Sequence, residues 1–160
     1  MLTEHFEGSE KMDYNVILEK LPYREPFLFV DAIISASPDR MEGRYCFQED
    51  SWFYQGHFRD RPITPGVLLT ECCAQIGLAC FGLYLLGPDR WPAQNAMGIA
   101  LTESKMDFLK PVFPGEEVRI IAEKAYFRFG KLKSRVYLYT QQGELACRGE
   151  LSGMVAEMKQ

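Results

Sequence analysis

Two side chains in this sequence can exchange protons near neutral pH and lie close together along the chain. They are His57, one of only two histidines, and Glu71, the first acid inside a long apolar run. A short, stiff connection, Pro62-Ile63-Thr64-Pro65-Gly66, lies between them. A tunable base and a tunable acid held this way form a candidate proton-transfer pair. Thr64-Pro65-Gly66 reads as a helix start, with Thr64 as N-cap and Pro65 at the first helical position, where its missing N–H would be unpaired anyway. Gly66 then presents its backbone N–H at the positive end of the helix dipole, unobstructed by a side chain, as a holder of a developing oxyanion. Val67, Glu71 and Gln75 recur at i, i+4 and i+8 and share one helical face. A carboxyl in so apolar a helix has a raised pKa unless it is paired, which suits a general acid. Each feature alone has a plainer reading: Pro-Gly starts many helices, a lone His is more often packed or solvated, and a Glu can be satisfied by backbone or arginine. Base, oxyanion donor and acid together point to catalysis.

The elements that must position these groups follow from hydrophobic pattern. Val67 to Leu86 is twenty residues with fifteen apolar side chains and two glycines. That length can cross a bilayer. Glu71 and Gln75 inside it, and the abrupt start after Pro65-Gly66, favour a helix wrapped inside a folded domain. Before it, residues 14–20 form one or two helical turns, Phe27 to Ile34 and Met41 to Phe47 read as strands, and Glu49 to Tyr54 as a short helix or loop. After the break at Gly87-Pro88, strands are expected over Asn95–Leu101, Lys105–Leu109, Val118–Phe127, Leu132–Thr140 and Glu144–Val155. In the fourth of these, Val136, Leu138 and Thr140 alternate with Arg135, Tyr137 and Tyr139. Strands, one buried helix, then strands joined by short turns make an α+β fold, an antiparallel sheet curled around the helix.

The 160 residues fit one domain, with residues 1–13 as a flexible, charged N-terminal extension that lacks the apolar core of a signal peptide. The net charge of −4 argues against a broad nucleic-acid surface. Five cysteines, three of them (Cys72, Cys73, Cys80) in the apolar run, read as buried hydrophobes in a reducing compartment, which places the protein in the cytoplasm. With only His5 and His57 available and no spaced Cys/His pattern, a zinc site is not expected.

Several segments resemble the 3-hydroxyacyl-[acyl-carrier-protein] dehydratases of fatty-acid synthesis. They are Leu21 to Asp31 (LPYREPFLFVD), Gln55-Gly56-His57-Phe58, Pro62 to Glu71 (PITPGVLLTE), Ala74-Gln75, Met97-Gly98-Ile99 and Phe108 to Glu116. The resemblance runs over roughly residues 14–155 and implies the hotdog fold. It implies that His57 removes the α-proton of a 3-hydroxyacyl thioester, and that Glu71 protonates the departing 3-hydroxyl to leave a trans-2-enoyl thioester. Gly66 N–H would hold the thioester carbonyl, with Phe58, Val67 and Gln75 beside the substrate. It further implies no metal or redox cofactor, an acyl group delivered on the phosphopantetheine arm of acyl carrier protein, and a homodimer, three of which make a hexamer. His57 and Glu71 of one working site then come from different subunits. Arg24, Arg59, Arg61 and Lys110 are candidate contacts for the acidic carrier.

The chain departs from that family where Thr64 replaces an apolar residue, where Arg59-Asp60-Arg61 replaces a Pro-containing loop, and where Leu101 to Met106 runs longer. Thr64, as a cap, would compete for the N–H groups assigned to substrate. These changes lie at the mouth and tunnel, so they bear on acyl length and carrier, and admit a specialised lipid or polyene pathway beside ordinary fatty-acid synthesis. The rivals are an acyl-thioester hydrolase on the same fold and a non-catalytic acyl-binding subunit. His57 argues against the first, and His57 with Glu71 against the second.

Overall fold

Short turns make antiparallel neighbours, and three of them organise this chain. Ser37-Pro38-Asp39 joins β1 (Ala32–Ala36) to β2 (Arg40–Cys46). Phe129-Gly130 joins β4 (Glu117–Arg128) to β5 (Lys131–Tyr139), and residues 140–144 lead on to β6 (Leu145–Glu157). The computed structural model describes residues 12–157. In it these strands and β3 (Met97–Phe108) form one sheet in the order β1-β2-β4-β5-β6-β3, with every pair antiparallel. β3 closes the far edge beside β6.

The sheet curls around a helix, α2 (Gly66–Leu86). Ile76, Leu78, Phe81 and Leu83 of α2 are fully or almost fully buried, as are Ile120, Ala122, Leu132, Val136 and Leu138 of the strands. The close approach depends on two glycines. A Cβ at Gly77 would meet Val136 at 2.9 Å, and one at Gly82 would meet Val155 at 2.7 Å. The helix is long and apolar enough to span a membrane, but most of it is buried within this fold. Gln75–Cys80 forms wider π-type turns between two α-helical segments. There the fully buried Ser134 hydroxyl of β5 donates to the Gly77 carbonyl at 2.7 Å, a side chain from the sheet taking up a backbone group of the altered ladder.

A short helix, α1 (Asn15–Lys20), lies where the sequence places it. Most of the expected N-terminal extension, residues 1–11 with His5, lies outside the described residues. Met12 packs against the core, and Asp13 Oδ1 accepts the Asn15 N–H at 3.0 Å. Two strand assignments change. Phe27 to Val30 is not part of a strand: its backbone bonds to the Gln75 side chain instead of to a neighbouring strand, and regular pairing starts at Ala32. The two strands expected over Asn95–Leu101 and Lys105–Leu109 are one, β3, with a bulge between Leu101 and Glu103. The polar stretch between them is no turn, because the edge strand is exposed on both faces over residues 100–105, where polar residues are tolerated.

Candidate active site

His57 follows the one-turn helix Trp52–Gln55 and is held by its own loop. Ile63 N–H donates to the His57 carbonyl at 2.9 Å, and His57 Nδ1 lies 2.9 Å from the Ile63 carbonyl. A carbonyl oxygen only accepts, so Nδ1 carries a proton and Nε2 is the ring nitrogen left to exchange one. The Phe58 ring stacks on the imidazole with centroids 4.0 Å apart, and the His57–Phe58 peptide is cis.

The helix start differs from the expected cap. Pro65 is the N-cap: its carbonyl accepts from Leu68 and Leu69 N–H, and Gly66 is the first helical residue. Thr64 lies outside the helix and does not cap it. Its hydroxyl is 2.6 Å from the Tyr54 hydroxyl, and its N–H donates to the Val112 carbonyl. The competition for helix N–H groups is therefore absent. The Gly66 N–H is left at the positive helix end. A Cβ at Gly66 would meet the Phe108 ring at 3.1 Å, so the ring would have to give way.

These groups converge on a cleft of about 560 Å³ lined by His57, Phe58, Ile63, Thr64, Gly66, Leu69 and the segment Phe108–Pro111. Glu71, Val67 and Gln75 do not line it. Val67 is exposed. Glu71 is half-buried and Gln75 fully buried. Gln75 Nε2 donates to Glu71 Oε1 at 3.0 Å and to the Phe27 carbonyl at 3.1 Å, while its Oε1 accepts the Phe29 N–H at 2.7 Å. The i, i+4 pairing read from the sequence is thus a direct hydrogen bond that fixes the carboxyl. Burial pushes the Glu71 pKa up, and the Gln75 hydrogen bond partly offsets this. A carboxyl held this way keeps its proton to higher pH than an exposed one, as a general acid must.

Two residues that pattern reading passed over belong to this neighbourhood. Burial, then the charges of Glu71 and Cys80, push the Tyr23 phenol up to about 12, so near Glu71 it stays an O–H donor. Tyr54, also raised by burial, supports Thr64 from the core. Neither carries a signal of its own in the sequence, since isolated tyrosines are ordinary core residues. Among the rim cations, Lys110 lines the cleft and pairs with Glu144 at 2.9 Å. Arg24, Arg59 and Arg61 are exposed, with no ion pair among the described residues. All five cysteines are free; burial holds the thiols of Cys72 and Cys80 well above their usual range, and a hydrogen bond with Cys147, then burial, does the same for Cys73. They behave as small hydrophobes.

Residues 21–151 match the family model of the FabA-like domain. The chain is 37% identical over 149 residues to the 3-hydroxyacyl-[acyl-carrier-protein] dehydratase FabZ of Geotalea uraniireducens, covering 91% of this chain and 98% of that one. It is 33% identical over 144 residues to the FabZ of Clostridium perfringens, covering 88% and 96%. Among solved structures, the dehydratase heterocomplex ApeI:P from Xenorhabdus doucetiae matches with a TM-score of 0.72 at 15% identity, covering 88% of this chain and 90% of that one. A hypothetical thioesterase from Streptococcus pneumoniae matches with a TM-score of 0.58 at 15% identity, covering 81% and 88%. At that identity both speak for the hotdog fold alone, and the sequence matches separate dehydratase from thioesterase. The protein belongs to the FabA-like dehydratase family, with FabZ enzymes as full-length relatives.

Proposed function

We propose that this protein removes water from 3-hydroxyacyl thioesters borne on acyl carrier protein, giving trans-2-enoyl thioesters. One observation carries the mechanism: His57, with Nδ1 held by Ile63, and the Gly66 N–H, without a partner among the described residues, line a single cleft. His57 Nε2 takes the α-proton. Gly66 N–H, at the helix N-terminus, holds the carbonyl oxygen as it gains enolate character. The protonated Glu71 gives its proton to the leaving 3-hydroxyl, and Gln75 holds that carboxyl in place. Proton transfer between these groups accounts for the chemistry, so no metal or redox cofactor is invoked. The acyl group enters on the carrier's phosphopantetheine arm, with Phe58 and Val67 as apolar contacts and Arg24, Arg59, Arg61 and Lys110 facing the acidic carrier.

The working assembly on this reading is a dimer, and three dimers can stack as a hexamer. Its support is twofold. Glu71 does not line the cleft that holds His57. β3 is a twelve-residue edge strand with Leu101 and Phe108 exposed, an edge suited to pairing with a second copy. The free thiols fit a cytoplasmic setting.

Activity is tested by following enoyl absorbance with 3-hydroxyacyl carrier-protein substrates of several lengths. His57→Ala should lower the rate by about 10²–10⁴-fold. A loss below tenfold removes His57 from the base role, and release of free thiol without dehydration makes the protein a hydrolase. Subunit sharing is tested by mixing unfolded His57→Ala and Glu71→Gln chains and refolding them. Random pairing gives one intact site per mixed dimer, hence about a quarter of wild-type activity, whereas sites contained in one chain regain none.

A further inference from the structure

The Tyr54 and Thr64 hydroxyls together carry two protons, and their mutual 2.6 Å hydrogen bond uses one. Neither oxygen has any other partner among the described residues. Both residues are more than nine-tenths buried, so solvent does not readily take the second proton. A buried O–H left without an acceptor is unfavourable unless something else receives it. Tyr54 is a core residue, whereas Thr64 lines the cleft alongside His57 and Gly66. Either hydroxyl can donate across the pair; the phenol is the more acidic, and with Tyr54 as donor the unused proton is on Thr64, the member that lines the cleft. The residue is also fixed, since its N–H donates to Val112 and Pro65 locks the next position.

We propose that Thr64 is a second oxyanion donor. Its hydroxyl, oriented by Tyr54, donates to the thioester carbonyl oxygen that Gly66 N–H also faces, and Tyr54 is a positioning residue acting through it. The inference rests on the dehydratase reading above. The two donors differ in kind. Gly66 N–H is fixed by the helix, while the hydroxyl can rotate, so it can follow the oxygen as charge builds and the bond strengthens. A hydrogen bond stronger in the transition state than in the bound substrate raises kcat rather than lowering KM.

The test compares Thr64→Val, Thr64→Ser and Tyr54→Phe with wild type, using steady-state dehydration and thermal unfolding. Valine keeps the shape and removes the hydroxyl. Thr64→Val should lower kcat about 10–100-fold with KM within about twofold, Thr64→Ser should restore most of it, and Tyr54→Phe should fall between. Conservation of kcat within twofold in Thr64→Val overturns the proposal, as does a loss that serine fails to rescue. So does a fall in Tm with unchanged kcat, because a merely structural pair gives that result. A wild type inactive on every 3-hydroxyacyl thioester removes the dehydratase reading and this inference with it. An active wild type with an unaffected valine variant removes the inference alone.

Discussion

Gln75→Leu tests whether one buried amide both ties the Phe27–Phe29 segment to the helix and sets the proton affinity of Glu71. Leucine is close in volume and keeps helix propensity, so the loss is almost purely of hydrogen bonds. The Phe29 N–H loses its acceptor in a buried place, at a cost of about 1–3 kcal/mol. The Phe27 carbonyl loses its donor but belongs to an exposed residue, so water meets part of that loss. The Glu71 carboxyl loses the side-chain donor it has among the described residues. Apolar burial of leucine returns part of this, leaving an expected destabilisation of about 2–4 kcal/mol, a large share of the 5–15 kcal/mol typical of a domain. Urea denaturation should show a lower midpoint with an unchanged slope.

The same substitution has a catalytic readout that a purely structural role would not move. Burial raises the Glu71 pKa, and the Gln75 bond is the opposing influence. With the bond gone, the carboxyl holds its proton to higher pH. If Glu71 is the acid, the alkaline limb of kcat/KM moves upward, since the lost hydrogen bond had favoured the ionised carboxylate. A variant as stable as wild type, or one whose alkaline limb stays in place or moves down, refutes this account of Gln75.

Three further outcomes follow from particular positions. The folded-state pKa of Glu71 is raised above its unfolded value, so stability is full below the unfolded pKa and is lost as pH rises through the folded one. Glu71→Gln, neutral throughout, should gain Tm relative to wild type across that window, and a pH-independent difference would contradict it. Phe129 is 96% exposed and has φ of 51° beside Gly130 at 73°, a two-residue turn that favours Asn-Gly. Phe129→Asn should therefore stabilise by about 0.5–1 kcal/mol without touching activity, read by thermal melting. A Cβ at Gly149 would lie 2.0 Å from the Lys105 carbonyl and 2.9 Å from Met106 Cα, both backbone atoms of β3. Gly149→Ala should cost about 1–3 kcal/mol or more and lower the amount of folded protein recovered, while unchanged stability would mean that the β3–β6 pairing yields easily.

The groups legible in the sequence are those whose reasons are local. A helix apolar on nearly every side must be wrapped, and Val67 to Leu86 is wrapped. Pro65-Gly66 must start a helix, and the Gly66 N–H is where that start puts it. Glu71 and Gln75 are one helical turn apart, and they bond. What escaped depends on partners distant in sequence. Thr64 has the chemistry of a cap, but Tyr54, presented by the short helix ahead of His57, takes its hydroxyl instead. Phe27 to Val30 has the composition of a strand, but Gln75, more than forty residues on, occupies the backbone groups that a neighbouring strand would need. β3 is continuous across polar residues because its middle, residues 100–105, is an exposed edge on both faces. The π-type turns are invisible to a periodicity of 3.6, and they are met by Ser134 from the other side of the core.

The same distinction bears on how the site is completed. One chain places His57 and the Gly66 N–H in one cleft and anchors Glu71, through Gln75, to the Phe27–Phe29 segment. Phe108 lines the cleft and is also the last residue of the free edge strand. On our reading, a second copy that pairs with this edge covers the cleft in the same step, removes water from it and delivers the other chain's Glu71. Water exclusion matters here, because donors to a developing oxyanion act far more strongly in a dry site. Activity should then depend on assembly even though every residue that does chemistry is already held in place within its own chain.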